Sequence, residues 1–222
     1  MKDRTDRSPI TIVAFGDSIT QAAEQAVEDR WPEILRRSLQ ERLPEPEIRM
    51  VNAGVGGNTS REGLARIEQD VLRHTPRIVT VEFGNDATTD PQRHVSLEEF
   101  AGNLGAIRRK LAAHCGARLV LMTFPPVVDE WHSEYTNEFY RQQGGQDAYQ
   151  DRYRQCTRET ARELGCPLVD VYAVLREAMS VEGPAAYILP DGVHLTARAN
   201  QRIARLMTDF LAADLAASPM LV

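Results

Sequence analysis

The sequence predicts an α/β protein, a three-layer α/β/α sandwich around a central five-stranded parallel sheet. Five short runs rich in Val, Ile and Leu, at 10–15, 48–52, 77–83, 118–124 and 167–171, read as buried strands. The stretches between them carry apolar residues at helical spacing, as in Trp31, Ile34, Leu35 and Leu39, and again in Leu97, Phe100, Leu104, Ile107 and Leu111. Strands alternating with helices call for a parallel sheet, and right-handed crossovers place the helices on both of its faces.

Taken in order, residues 1–9 form a polar tail that leads into the first strand. Pro44 and Pro46 close the first long helix ahead of the second strand. The stretch 125–147 opens on Pro125-Pro126 and carries Gly144-Gly145; it is long for a connection in a compact domain and is expected to be a loop on the substrate side. After the fifth run come a short helical piece, a turn around 189–196 and a final helix. There is no internal repeat or linker, and 222 residues suit a single domain spanning 1–222.

Composition removes several classes of function. With 26 basic against 32 acidic residues the net charge is -6, a field that repels phosphate backbones, so no nucleic-acid partner is expected. The apolar runs break long before the roughly 20 residues a bilayer span requires, so no membrane insertion is expected. The polar start carries no secretory apolar core, which predicts a cytoplasmic protein. Cys115, Cys156 and Cys166 have neither CxxC spacing nor a histidine pair suited to zinc, and read as small buried hydrophobes; no metal is expected. Only Lys2 and Lys110 are lysines, so Schiff-base chemistry has almost no candidate.

In sheets of this kind ligands bind beyond the carboxyl ends of the strands, and four motifs lie there. After the first strand, Gly16-Asp17-Ser18-Ile19-Thr20 sets a serine at a helix start; taken alone it reads better as an N-cap. After the second, Asn52-Ala53-Gly54-Val55-Gly56-Gly57-Asn58-Thr59 lets backbone N–H groups approach an anion; a phosphate loop would need lysine where Asn58 stands. After the third, Phe83-Gly84-Asn85-Asp86 offers an asparagine amide, or simply an Asx turn. Ahead of the final helix, Asp191-Gly192-Val193-His194 pairs a carboxylate with an imidazole three residues on. A serine hydroxyl is a weak nucleophile that needs a base, and the base needs a partner to fix its tautomer; His194 and Asp191 supply that pair, or equally stand as a surface histidine and a turn acid.

Serine, glycine, asparagine and Asp-x-x-His, in that chain order, resemble the four blocks of the SGNH branch of GDSL esterases and lipases. The resemblance runs from residue 10 to the final helix. It implies a flavodoxin-like SGNH hydrolase fold, with Ser18 as nucleophile, His194 as general base and then acid, and Asp191 holding His194. It also implies an oxyanion hole made of the Ser18 N–H, the Gly57 N–H and the Asn85 side chain, with Gly54 as the alternative glycine. In the family's third block one residue normally separates Gly from Asn; here Gly84 and Asn85 are adjacent, so that turn must be rebuilt.

The stretch Asn85-Asp86-Ala87 with Gln92, His94, Val95, Leu97, Glu98 and Glu99, followed by Pro125-Pro126 and Trp131, resembles the isoamyl-acetate-hydrolysing esterases. That implies a small-molecule ester with a short acyl group, acetate above all. A thioesterase, acyltransferase or carbohydrate O-acetylesterase on the same triad, and a catalytically impaired binding protein, are the other readings. Asp17, Asn58, Pro126 and Trp131 are candidate substrate contacts. Trp131, Tyr135, Phe139, Tyr140, Tyr149 and Tyr153 crowd into 131–153, as a substrate wall or as packing for the loop. His94 and His132 are expected to be surface or loop-structuring residues, and acyl transfer through serine calls for no cofactor.

Overall fold

A computed structural model describes residues 8–84 and 93–217. Its sheet has five parallel strands, β1 (Ile10–Gly16), β2 (Ile48–Gly54), β3 (Ile78–Glu82), β4 (Arg118–Met122) and β5 (Leu168–Val169), in the order β2-β1-β3-β4-β5. The helices are α1 (Ser18–Gln21), α2 (Trp31–Arg42), α3 (Ser60–Asp70), α4 (Leu97–His114), α5 (Glu138–Gln142), α6 (Gln146–Leu164), α7 (Val171–Glu182) and α8 (Ala197–Ala217).

The pleat sorts the sheet's side chains into two cores. Ile10, Ile12 and Ala14 of β1, Ile78 of β3, and Val120 and Met122 of β4 pack against Trp31, Leu35 and Leu39 of α2 and the apolar faces of α7 and α8. Val13 and Phe15, Val79 and Val81, and Leu119 and Leu121 face the other way, onto Ile67 of α3, Phe100, Leu104, Ile107 and Leu111 of α4, and Tyr153 of α6. β1, β3 and β4 are buried on both faces, which is why their runs are so nearly apolar, whereas the edge strand β2 exposes Arg49 and Asn52. The chain first moves from β1 to β2 on one side, then returns past β1 to β3, so the strand order reverses at β1 and opens a crevice at the carboxyl ends there. Among the described residues no helix is long and apolar enough to cross a membrane.

Two expectations need correction. The fifth run, 167–171, yields only the two-residue strand Leu168–Val169, because Asp170 caps the next helix by accepting from the Ala173 N–H at 3.1 Å, and Val171 is already helical. The stretch 125–147 is not wholly irregular: it holds a 3₁₀ turn at Asp129–Trp131 and all of α5, and α6 has begun by Gln146. What remains irregular is held from beneath by Arg154 of α6. This fully buried guanidinium donates to Phe124 O, Pro125 O and the Asp147 carboxylate, at 3.3, 2.9 and 2.6 Å, and stacks on Phe124 and Tyr172. Loop carbonyls that a strand would have satisfied are satisfied by that side chain. The three cysteines are unpaired and half-buried against the α3–α4–α6 core.

Candidate active site

The nucleophile candidate sits where β1 gives way to a helix of a single turn. Asp17, fully buried, caps that turn by accepting from the Ile19 N–H at 2.9 Å, so Ser18 becomes its first residue. Among the described residues nothing accepts from the Ser18 N–H, as expected for the first turn of a helix. The end of β2 closes against this turn: a Cβ on Gly54 would lie 2.2 Å from the Gln21 N, a contact only glycine avoids.

The glycine block beyond β2 has most of its N–H groups spoken for. Gly54 N–H donates to Asn52 Oδ1 and Gly56 N–H to Gln21 Oε1, both at 3.0 Å, Val55 N–H donates to Gly16 O and Asn58 N–H to Val55 O. The Gly57 N–H alone within Gly54–Asn58 has no acceptor among the described residues, and the backbone there takes the positive φ of 76°. A Cβ on the preceding Gly56 would stand 3.7 Å from the Ser18 Cβ, so the block lies alongside the serine.

Arg66 of α3 ties the two loops together. Its guanidinium donates to Gly16 O and Ala53 O at 2.8 Å each and to Asn58 Oδ1 at 2.7 Å, pairs with Asp70, and lies over the Phe15 ring. Nothing in the residue pattern marks this arginine beyond its place on a helix.

The carboxylate and imidazole come from a tight turn between an isolated bridge, Ile188 with Leu195. Asp191 Oδ1 accepts from the N–H groups of Val193 and His194, both at 2.9 Å, while Oδ2 meets His194 Nδ1 at 2.8 Å. Burial pushes the Asp191 carboxyl up, but the Val193 N–H, the His194 ring and the His194 N–H together outweigh it and hold it below the ordinary carboxylate range. The other ring nitrogen, His194 Nε2, stands 3.1 Å from Ser18 Oγ. With Nδ1–H donated to the anion, Nε2 is left to accept the serine proton; the tautomer follows from the hydrogen-bond network. Glu24 Oε1 lies 3.7 Å from the same Nε2.

The β4 loop backs this turn. Val128 N–H donates to Gly192 O at 2.9 Å, and Gly192, at φ 80°, packs so closely that a Cβ would meet Val128 O at 2.6 Å and His132 N at 2.8 Å. Burial lowers the affinity of the His132 ring for a proton, and its Nδ1 accepts from the Glu134 N–H at 3.0 Å, which makes it a loop-structuring residue.

Ser18, His194 and Asp191 are thus brought into one hydrogen-bonded line, with Gly57 beside them. Asn85, together with Asp86, Ala87 and Gln92, lies outside the described residues. Of the candidate substrate contacts, Trp131 is about one-third exposed beside Gly192. Two others are corrected, since Asp17 is a buried cap and Pro126 is buried; Asn58 is half-buried, with its amide oxygen accepting from Arg66. Of the crowded aromatics, Tyr140, Tyr149 and Tyr153 are core residues packed in a row, Tyr140 edge-on to Tyr149 and Tyr153 edge-on to Phe100, whereas Tyr135 and Phe139 stay exposed.

Comparison with known proteins fits this arrangement. The model of the GDSL-like lipase/acylhydrolase family matches residues 14–202, nearly the whole of the described chain. An acetylxylan esterase of Geobacillus stearothermophilus is 30% identical over 177 residues, 75% of this chain and 74% of its own. The isoamyl acetate-hydrolyzing esterase 1 homolog of Bos taurus is 27% identical over 205 residues, 86% of this chain and 76% of its own. A crystal structure of an acetylxylan esterase from G. stearothermophilus superposes with a TM-score of 0.72 at 24% identity, covering 90% of this chain and 93% of that one.

Proposed function

Because the chain belongs to the GDSL-like lipase/acylhydrolase family, we propose that it is a carboxylic ester hydrolase, cleaving esters of short acyl groups through an acyl-enzyme on Ser18. The observation that carries the assignment is the unbroken line from Asp191 through His194 to Ser18, at 2.8 and 3.1 Å.

In the first step Ser18 Oγ attacks the ester carbonyl carbon as its proton passes to His194 Nε2. Asp191 keeps the ring oriented and stabilises the imidazolium. The negative charge that develops on the carbonyl oxygen falls to preorganised N–H donors. Support for the Ser18 and Gly57 N–H groups in this role comes from their having no other acceptor among the described residues, while those of Gly54 and Gly56 are committed elsewhere. Each well-aimed donor contributes about 3 kcal/mol. Asn85 enters as a third donor on the family pattern alone. Collapse of the tetrahedral adduct breaks the bond to the alcohol, which leaves with the proton from His194. Water then repeats the sequence on the acyl-serine, releasing the acid and restoring Ser18.

A carbohydrate O-acetylesterase is the second reading, favoured by the 30% identity to an acetylxylan esterase. It shares every step above. We further propose a cytoplasmic location, a reading that the three unpaired thiols support.

Purified protein is expected to hydrolyse p-nitrophenyl acetate without added metal, and Ser18→Ala to abolish that activity; full activity in the variant refutes the mechanism. Across a series of p-nitrophenyl esters the rate should fall as the acyl chain lengthens, and a preference for long chains refutes the short-acyl assignment.

A further inference from the structure

Beside the triad stands a carboxylate that the steps above do not use. Glu24 Oε1 is 3.7 Å from His194 Nε2, the nitrogen that must release its proton to the departing alcohol. Both side chains are about one-third exposed, so the charge is only partly screened by water. Among the described residues His194 is the only ionic partner of Glu24.

Its position is built into the fold. Ala22 ends α1 in the left-handed conformation, at φ 49°, and turns the chain back toward the site. The next residue but two, Gln25, is fixed three ways: its N–H donates to Ala22 O at 3.1 Å, its side chain to Leu195 O at 3.0 Å, and its carbonyl accepts from Arg30 Nε at 3.1 Å. Leu195 directly follows His194, so the segment that carries Glu24 is pinned to the segment that carries the base.

To take the proton, the ester's alcohol oxygen has to come within about 3 Å of Nε2. With Glu24 Oε1 3.7 Å from the same nitrogen, the carbons flanking that oxygen come within reach of the carboxylate when the alcohol leaves on the Glu24 side. A carboxylate accepts hydrogen bonds and donates none, so it favours an alcohol that presents a hydroxyl there. Resting on the esterase reading, we infer that Glu24 is a specificity-determining residue that reads the alcohol half of the ester, selecting polyhydroxylic alcohols with a free hydroxyl on the carbon adjoining the ester-bearing one.

The test compares 1-acetylglycerol with n-propyl acetate, esters that differ by two hydroxyl groups on the alcohol. The readout is the ratio of their kcat/KM values, which a general loss of folding or of triad geometry would leave in place. A charge-assisted hydrogen bond supports about tenfold discrimination, and the ratio should fall by about that factor in Glu24→Ala. In Glu24→Gln, whose amide oxygen still accepts, the fall should be smaller. An unchanged ratio in Glu24→Ala overturns the inference, whether the absolute rates hold or drop together. So does a loss confined to acetylcholine, a cationic ester with no hydroxyl, because the carboxylate would then be reading charge. If the wild-type protein shows no Ser18-dependent hydrolysis of any ester, the esterase reading itself has failed; an unchanged ratio with that hydrolysis intact removes only the role of Glu24.

Discussion

Asp191 divides its two oxygens between two tasks. Oδ1 is held by two backbone N–H groups and fixes the turn, and Oδ2 faces the imidazole and fixes its tautomer. Asp191→Asn can keep the first contact set but presents the wrong group to the ring, so kcat should drop by about three to four orders of magnitude with little change in stability. Steady-state kinetics alongside urea unfolding separates the two effects; near-normal kcat would remove Asp191 from the mechanism. Gly192 is the turn's other fixed point. Gly192→Ala adds a Cβ where φ is 80° and where Val128 O would be 2.6 Å away, and it should cost about 1–3 kcal/mol of stability together with activity. The triad was legible in the sequence because serine and Asp-x-x-His are read from types and spacing. Asp17 and Pro126 look like substrate contacts in the sequence because residue type says nothing of burial. Glu24 was not legible at all, since what matters about it is a distance to a residue 170 positions away.

At the scale of elements, the site is a set of loops fastened to helices by arginines and an aspartate. Arg66 joins the β1 and β2 ends through Gly16 O and Ala53 O. Arg66→Met would leave both carbonyls without that donor, at a cost of about 2–4 kcal/mol by urea unfolding, and should lower kcat/KM as the oxyanion loops loosen. An unchanged kcat/KM would show that those loops hold themselves. Asp170 does comparable work at the far edge, accepting from Arg158, Thr123 and Ala173. Burial raises its carboxyl, and those three donors outweigh burial and depress it. In the unfolded chain it returns to about 4, so its contribution to stability is full above that pH and is lost as pH falls through the depressed folded value. Asp170→Asn should therefore be less stable than wild type at about pH 7, with the gap closing as pH falls through the depressed folded value. A gap that does not depend on pH would mean the charge is irrelevant. Strand five is shorter than its composition predicts for this reason: Pro167-Leu168-Val169-Asp170-Val171 has strand composition, but Asp170 is spent as a cap.

For the molecule as a whole, parallel order was readable from alternation alone, whereas the strand order β2-β1-β3-β4-β5 was not, because crossovers of similar length reach either side of a strand. The order matters for function: its reversal at β1 gathers the ends of β1 and β2, and the turn before α8, at one crevice. The central claim is that one serine forms a covalent intermediate there, and stoichiometric labelling with diethyl p-nitrophenyl phosphate tests it most directly. The account predicts that activity falls in proportion to a single diethylphosphoryl group, located by peptide mass spectrometry on Ser18 and absent from Ser18→Ala. Inactivation with the label on another residue, or full activity in protein labelled at Ser18, would contradict it.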